Sequence, residues 1–254
     1  MRQEERRRWL IDYLLAERAD LNGVGVPSDA EGQRELLRAL LNVRMPEPVD
    51  EEFLRVQDSY LQERARERGI VRLALDAPIT LWRGDITTLA TDAIVNAANS
   101  QMLGCFVPGH HCIDNAIHTF AGVQLRLACA ELMRAQGHEE PTGAAKVTPG
   151  FNLPAKNVIH TVGPIVYGVA PTPRDELNLR SAYRSCLKAA EEARCASIAF
   201  CCISTGVFHY PNEAAARVAI EEVRSHLDAT GSNLRVVFNV FLERDERIYR
   251  ELLG

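Results

Sequence analysis

No run of apolar residues in this 254-residue chain approaches the ~20 needed to cross a bilayer. Its first residues are charged and helix-like, with no signal-peptide core. The expectation is a cytoplasmic protein with no membrane partner. Excess positive charge is missing too. Lys and Arg number 29 against 34 Asp and Glu, a net charge of −5, which speaks against nucleic-acid binding through many neutralised phosphates. Nor does the chain carry a basic–aromatic stripe on which bases would stack. No G-x-G-x-x-G follows a strand-like segment, and Gly23-Val24-Gly25 lies in a helical stretch, so a dinucleotide fold of that kind is disfavoured. A small phosphorylated ligand stays open, because backbone N–H groups in a loop or at a helix start hold phosphate without net positive charge. Repeats and low-complexity tracts are absent.

What is present begins with ordinary globular composition, 46% hydrophobic and 25% charged, enough for one large domain or a domain with an extension. Residues 1 to about 68 read as helical. Trp9, Leu10, Tyr13 and Leu14 share one face. Ser28-Asp29-Ala30-Glu31 resembles a capping box ahead of the stripe Leu36, Leu37, Leu40 and Leu41. Pro46 and Pro48 interrupt it, and Asp50 opens a third helix carrying Phe53, Leu54, Tyr60 and Leu61. These stripes predict an amino-terminal helical extension (residues 1–70) packed on a main domain (71–254).

From about residue 71 short apolar segments alternate with helical ones. Strands are predicted at 79–82, 93–98, 144–148, 158–162, 198–203 and 235–241, and helices at about 113–136, 176–194, 211–229 and 243–253. Continuous apolar strands separated by helices predict an α/β sheet covered on both faces, with ligands at the carboxyl ends of the strands. Three loops fall there: Arg83-Gly84-Asp85-Ile86-Thr87, Asn96-Ala97-Ala98-Asn99-Ser100, and Ser204-Thr205-Gly206-Val207-Phe208. Cys201 and Cys202 fall in the strand before the last of these and read as packing residues.

The second loop leads into the chain's densest chemistry. Cysteine is plentiful, and its odd count of seven in a reducing compartment points to metal or catalysis before disulfides. Cys105, His110 and Cys112 form a C-x4-H-x-C cluster. In an extended segment His110 and Cys112 point the same way while His111 faces away, and Pro108-Gly109 turns Cys105 back towards them. Three ligands without an evident fourth describe an open zinc site suited to chemistry; His111, His118 or a distant residue as fourth ligand would make it a closed structural one.

Gly84-Asp85-Ile86-Thr87, Ile94-Val95-Asn96-Ala97-Ala98-Asn99, Pro141 to Gly150, Val158 to Pro164 and Ile203 to Phe208 together resemble a macrodomain over roughly three quarters of the chain. The resemblance implies a three-layer α/β/α fold with a mixed sheet that binds ADP-ribose. Ile113-Asp114-Asn115-Ala116-Ile117-His118 looks like the loop-to-helix segment of the hydrolase macrodomains, but Cys105 to Cys112 stands where most of those carry a glycine run. That insertion and the helical extension resemble the zinc-containing class linked to sirtuin-type ADP-ribosyltransferases and lipoyl-carrier proteins. The implied function is Zn2+-dependent hydrolysis of mono-ADP-ribose from a protein side chain, an ester on Asp or Glu being the linkage expected. The alternative is a reader that binds ADP-ribose without cleaving it, with a structural zinc.

The resemblance also implies roles. Asp85 would accept from the adenine amine, with the Ile86 amide nearby. Asn99 would meet the distal ribose and take part in catalysis. Ser204, Thr205, Gly206, Val207 and Phe208 would wrap the diphosphate, Phe208 over the ribose. Asp114 would orient or activate the attacking group. Each has a plainer reading: a turn or cap for Asp85, Asn99 and Asp114, and packing for Phe208. Asn96 reads as fixing the loop backbone, and His118, His160 and His209 as structural.

Overall fold

The computed structural model describes residues Met1–Gly254. Three helices, α1 (Gln3–Ala16), α2 (Ala30–Val43) and α3 (Glu51–Arg68), precede the first strand. Asp29 and Asp50 cap α2 and α3 by accepting from the Gly32 and Phe53 amides. The cap of α2 is thus Asp29, one residue later than the Ser28 capping box implied, because α2 begins at Ala30. Leu10, Ile11, Leu37, Leu40, Phe53 and Leu61 close an apolar cluster that also takes in Val123 from beyond the extension.

Six strands follow: β1 (Ile79–Arg83), β2 (Ala93–Ala98), β3 (Ala145–Pro149), β4 (Asn157–Val162), β5 (Ser197–Phe200) and β6 (Arg235–Val240). They form one sheet in the order β1-β6-β5-β2-β4-β3. All neighbours pair in parallel except β3, which runs antiparallel to β4 at one edge. The burial pattern follows that order. The inner strands are nearly all buried and mostly apolar, whereas β1 and β3 at the edges are half-exposed, as expected for a sheet covered on both faces. Pro149, which has no N–H to give a ladder, ends the edge strand β3.

The strand predicted to reach Ile203 stops at Phe200, so Cys201 and Cys202 belong to the loop. Cys201 is buried and Cys202 partly so. The single helix predicted over 113–136 is two, α4 (Ile113–Ala121) and α5 (Val123–Gln136), parted at Gly122 with φ +93°. A Cβ at Gly122 would lie 2.7 Å from Gln57 Nε2 on α3, so glycine allows both the left-handed bend and the approach of the extension. Helices α6 (Pro173–Glu192), α7 (Asn212–Thr230) and α8 (Glu243–Leu253) pack side by side. With α4 and α5 they complete three layers, and α2 and α3 pack on α4.

Candidate functional site

Because β1, β2, β5, β6 and β4 run parallel, the loops after β1, β2 and β5 open at one end of the sheet. The turn after β1 is drawn tight: the Gly84 N–H donates to Val240 O, and Asn239 Nδ2 donates to Gly84 O. Asp85 then starts a 3-10 turn, its Oδ1 accepting from the Thr87 N–H (2.9 Å) and Thr87 Oγ1 (2.7 Å). Its Oδ2 pairs with Arg68, the last residue of α3. The Arg68 guanidinium also lies flat over Phe120, 3.6 Å from the ring centroid. Its side chain is 15% exposed against 41% for Asp85, so the carboxylate keeps an open side for a ligand donor while the cation holds it in place.

In the loop after β5, the amides of Gly206, Val207 and Phe208 donate to nothing within the protein. Three neighbouring free N–H groups suit a diphosphate. The loop is braced beneath: Tyr210 N–H donates to Ser204 O, His209 N–H to Gly206 O, and Val166 N–H to Phe208 O. Ser204 is buried at φ +66° with its hydroxyl unpartnered. It fits there because residue 163 is glycine, whose Cβ would come within 2.1 Å of Ser204 Oγ. Phe208 is half-buried, and Thr205 Oγ1 donates to Cys202 O.

In the loop after β2, Asn99 builds the turn. Its Oδ1 accepts from the Gln101 and Met102 amides and its Nδ2 donates to Gly104 O. One amide hydrogen is left to face a ligand. Beyond it the ligating atoms of Cys105, His110 and Cys112 lie within 4.8 Å of one another, Cys105 Sγ being 3.5 Å from His110 Nδ1. The bend comes from Gly109, at φ +64°. Neither His111, which is exposed, nor His118 joins the three.

Cys112 caps α4, its sulfur accepting from the Asn115 N–H (3.4 Å). Burial, with the Cys105 sulfur beside it, pushes the Cys112 thiol up to about 12. Two thiolates held this close require a cation to sustain them. The donor set of two sulfurs and one imidazole is the chemistry of zinc, and the helix amino terminus behind Cys112 favours the anionic ligand. The residues therefore fit a zinc ion held by one loop.

Asp114 follows within the first turn of α4 and is almost fully buried. Burial raises its pKa to about 6, against the opposing influence of the Asn96 hydrogen bond and the Arg126 charge. Asn96 Nδ2 donates to Asp114 Oδ1 at 2.8 Å and lies 3.1 Å from His160 Nδ1. Asn96 is thus turned towards Asp114; the expectation that it fixes the loop backbone is corrected, since β2 points this side chain into the core beneath α4. His118 Nε2 is 3.5 Å from Asp114 Oδ1. His118, Cys129 and His160 also bring ligating atoms within 4.8 Å. Protein groups already occupy both nitrogens of His160, Nδ1 facing Asn96 and Nε2 facing Thr148 Oγ1 at 2.9 Å. Burial drives both imidazole pKa values down, His160 to about 3, and it is Asn96, between His160 and Asp114, that bonds the carboxylate.

Residues 95–219 match the Macro domain family. The protein-ADP-ribose hydrolase of Treponema medium is 55% identical over 262 residues, covering 100% of both chains. That of Staphylococcus aureus (strain MRSA252) is 48% identical, covering 96% of this chain and 93% of its own. This chain is a macrodomain. A Trypanosoma brucei macrodomain solved in complex with ADP-ribose superposes with a TM-score of 0.61 at 32% identity, covering 96% of this chain and 86% of its own.

For this macrodomain, sequence reasoning left Arg68 and Arg126 unnamed and gave Asn96 another role; the structure sets Arg68 against Asp85, Asn96 against Asp114, and Arg126 beneath the Cys/His loop. The last two are polar residues at otherwise apolar positions of a strand and a helix, a signal that marks burial with a partner but does not name the partner. Arg68 carried no such mark, standing at a charged helix end.

Proposed function

We propose that this macrodomain is a zinc-dependent hydrolase that removes mono-ADP-ribose from modified protein side chains, with an ester on an Asp or Glu as the linkage. The observation that carries this is the placing of three zinc-type ligands, Cys105, His110 and Cys112, next to the buried carboxylate of Asp114. The names of the Treponema and Staphylococcus relatives support the reaction class, and the ADP-ribose complex of the trypanosomal macrodomain supports the ligand.

In this reading Asp85 accepts from the adenine amine, with the Ile86 amide nearby. The free amides of Gly206, Val207 and Phe208 hold the diphosphate, with Ser204 and Thr205 shaping that loop. Asn99 meets the distal ribose, and Asp114, aimed by Asn96, orients the attacking group or takes its proton. Zinc bound at the loop supplies Lewis acidity towards an oxygen of the substrate or of water. The upstream partner would be a sirtuin-type ADP-ribosyltransferase and the substrate a modified protein such as a lipoyl carrier.

The test is release of ADP-ribose from an aspartate-linked mono-ADP-ribosylated protein by zinc-replete, chelated and zinc-restored enzyme. Release should vanish on chelation, return with zinc, and be lost in Cys112→Ser, while ADP-ribose binding survives. A reader would bind ADP-ribose tightly and release none from any linkage. The free amide cradle favours binding on either reading; the buried Asp114 beside the ligand loop is what favours hydrolysis.

A further inference from the structure

We propose that the amino-terminal helices are a working part of the metal centre: Arg38 and Asn42 of α2 hold the Cys105–Cys112 loop in its ligating shape before any metal is bound. The proposal rests on the metal reading above. The loop has no strand or helix of its own between Gly104 and Cys112, so its shape must come from outside.

Arg38 and Asn42 lie one helical turn apart on α2 and share a face. Arg38 donates from Nη2 to the backbone carbonyl of the ligand His110 (3.0 Å), and from Nε and Nη2 to Asn115 Oδ1 (3.1 and 2.9 Å). Asn115, fully buried, donates in turn to Val107 O (3.0 Å). Asn42, 1% exposed, accepts from the Gly109 N–H (3.0 Å) and donates to Thr119 Oγ1 (2.9 Å). Three of the four turn positions from Val107 to His110, namely Val107, Gly109 and His110, are thereby tied directly or through Asn115 to α2 and α4. Arg126 completes the clamp from α5, donating to Leu103 O (2.7 Å) and lying over Phe106.

Arg38 forms no ion pair. Its charge is spent on neutral oxygens, and its planar fork bridges two acceptors at once, which a lysine ammonium cannot reproduce. These contacts lie behind the ligands and meet no reacting atom, so Arg38 and Asn42 are positioning residues. Loosening partners of this kind costs metal affinity roughly 10–100-fold.

The experiment uses the full chain. Zinc affinity is measured by competition with a chromophoric chelator for wild type, Arg38→Gln, Arg38→Lys and Asn42→Ala, alongside hydrogen exchange of the Gly109 and His110 amides in metal-free protein. Expected are zinc affinities about 10–100-fold weaker in Arg38→Gln and Asn42→Ala, with Arg38→Lys between them and wild type. The Gly109 amide should exchange faster in Asn42→Ala before any metal is added. Cooperative melting of each variant separates this from unfolding, and the milder Arg38→Lys serves if a stronger variant does not fold. Wild-type affinity and exchange in folded variants overturn the proposal alone. A wild-type chain that takes up no zinc overturns the metal reading and the proposal together.

Discussion

Asp114 shows how neighbours on other elements set the behaviour of one side chain. It is buried with no cation in contact, and its direct donor is the neutral amide of Asn96. Replacing Asn96 with Ala removes the bond that aims the carboxylate. Turnover should fall by about 10²-fold while ADP-ribose affinity holds, measured by single-turnover release beside calorimetric titration. His160, behind Asn96, makes a stability prediction. Burial lowers its pKa to about 3, below the ~6.5 of a free imidazole. The unfolded chain therefore takes up a proton below pH 6.5 that the folded chain refuses, so this contribution to stability is whole above pH 6.5 and is lost as pH falls towards 3. The slope is at most about 1.4 kcal/mol per pH unit. Urea midpoints should drop on going from pH 7 to 5.5, and drop less in His160→Gln.

At the scale of elements, the carboxyl end of α3 braces the turn after β1. Arg68 is stacked on Phe120 and paired with Asp85, so the extension restrains the residue proposed to meet the adenine amine. Arg68→Ala removes the partner of Asp85 Oδ2 and leaves the carboxylate held through Oδ1 alone, by Thr87. ADP-ribose binding should weaken about tenfold, since hydrogen bonds to charged groups are worth ~1.5–3 kcal/mol. Calorimetry on wild type and Arg68→Ala decides it, and unchanged affinity would mean that Asp85 needs no such restraint. The same helix meets α5 through Gln57, whose Oε1 accepts from the Val123 amide just past the Gly122 break.

For the whole molecule, these links predict that the amino-terminal apolar cluster and the larger core around the sheet unfold as one cooperative structure. Arg126 reaches from the main domain to the carbonyls of Leu41, Asn42 and Arg44 at the end of α2. Peeling the extension away would leave Nη1 of that cation without its three acceptors, with Leu103 O alone still bonded, to Nε. The chain has two tryptophans, Trp9 in α1 and Trp82 in β1, one reporter for each part. In Trp9→Phe and Trp82→Phe variants the remaining fluorophore should report the same urea midpoint in both. Separate transitions would show the extension to be an independent unit.

By itself the sequence determined the order of strands and helices apart from the break at Gly122, the macrodomain motifs and the grouping of Cys105, His110 and Cys112, because these depend on periodicity and on residues close together in the chain. Helix ends set by chain-local chemistry, such as the Asp50 cap and the final helix from Glu243, were legible within a residue or two. Contacts between distant residues were not. Arg68 with Asp85, Asn96 with Asp114, and Arg38 and Asn42 with the ligand loop span 17, 18 and up to 72 positions. A polar side chain in an apolar stripe announces that it needs a partner. Only the folded chain, by burying it where water cannot serve, decides which partner that is.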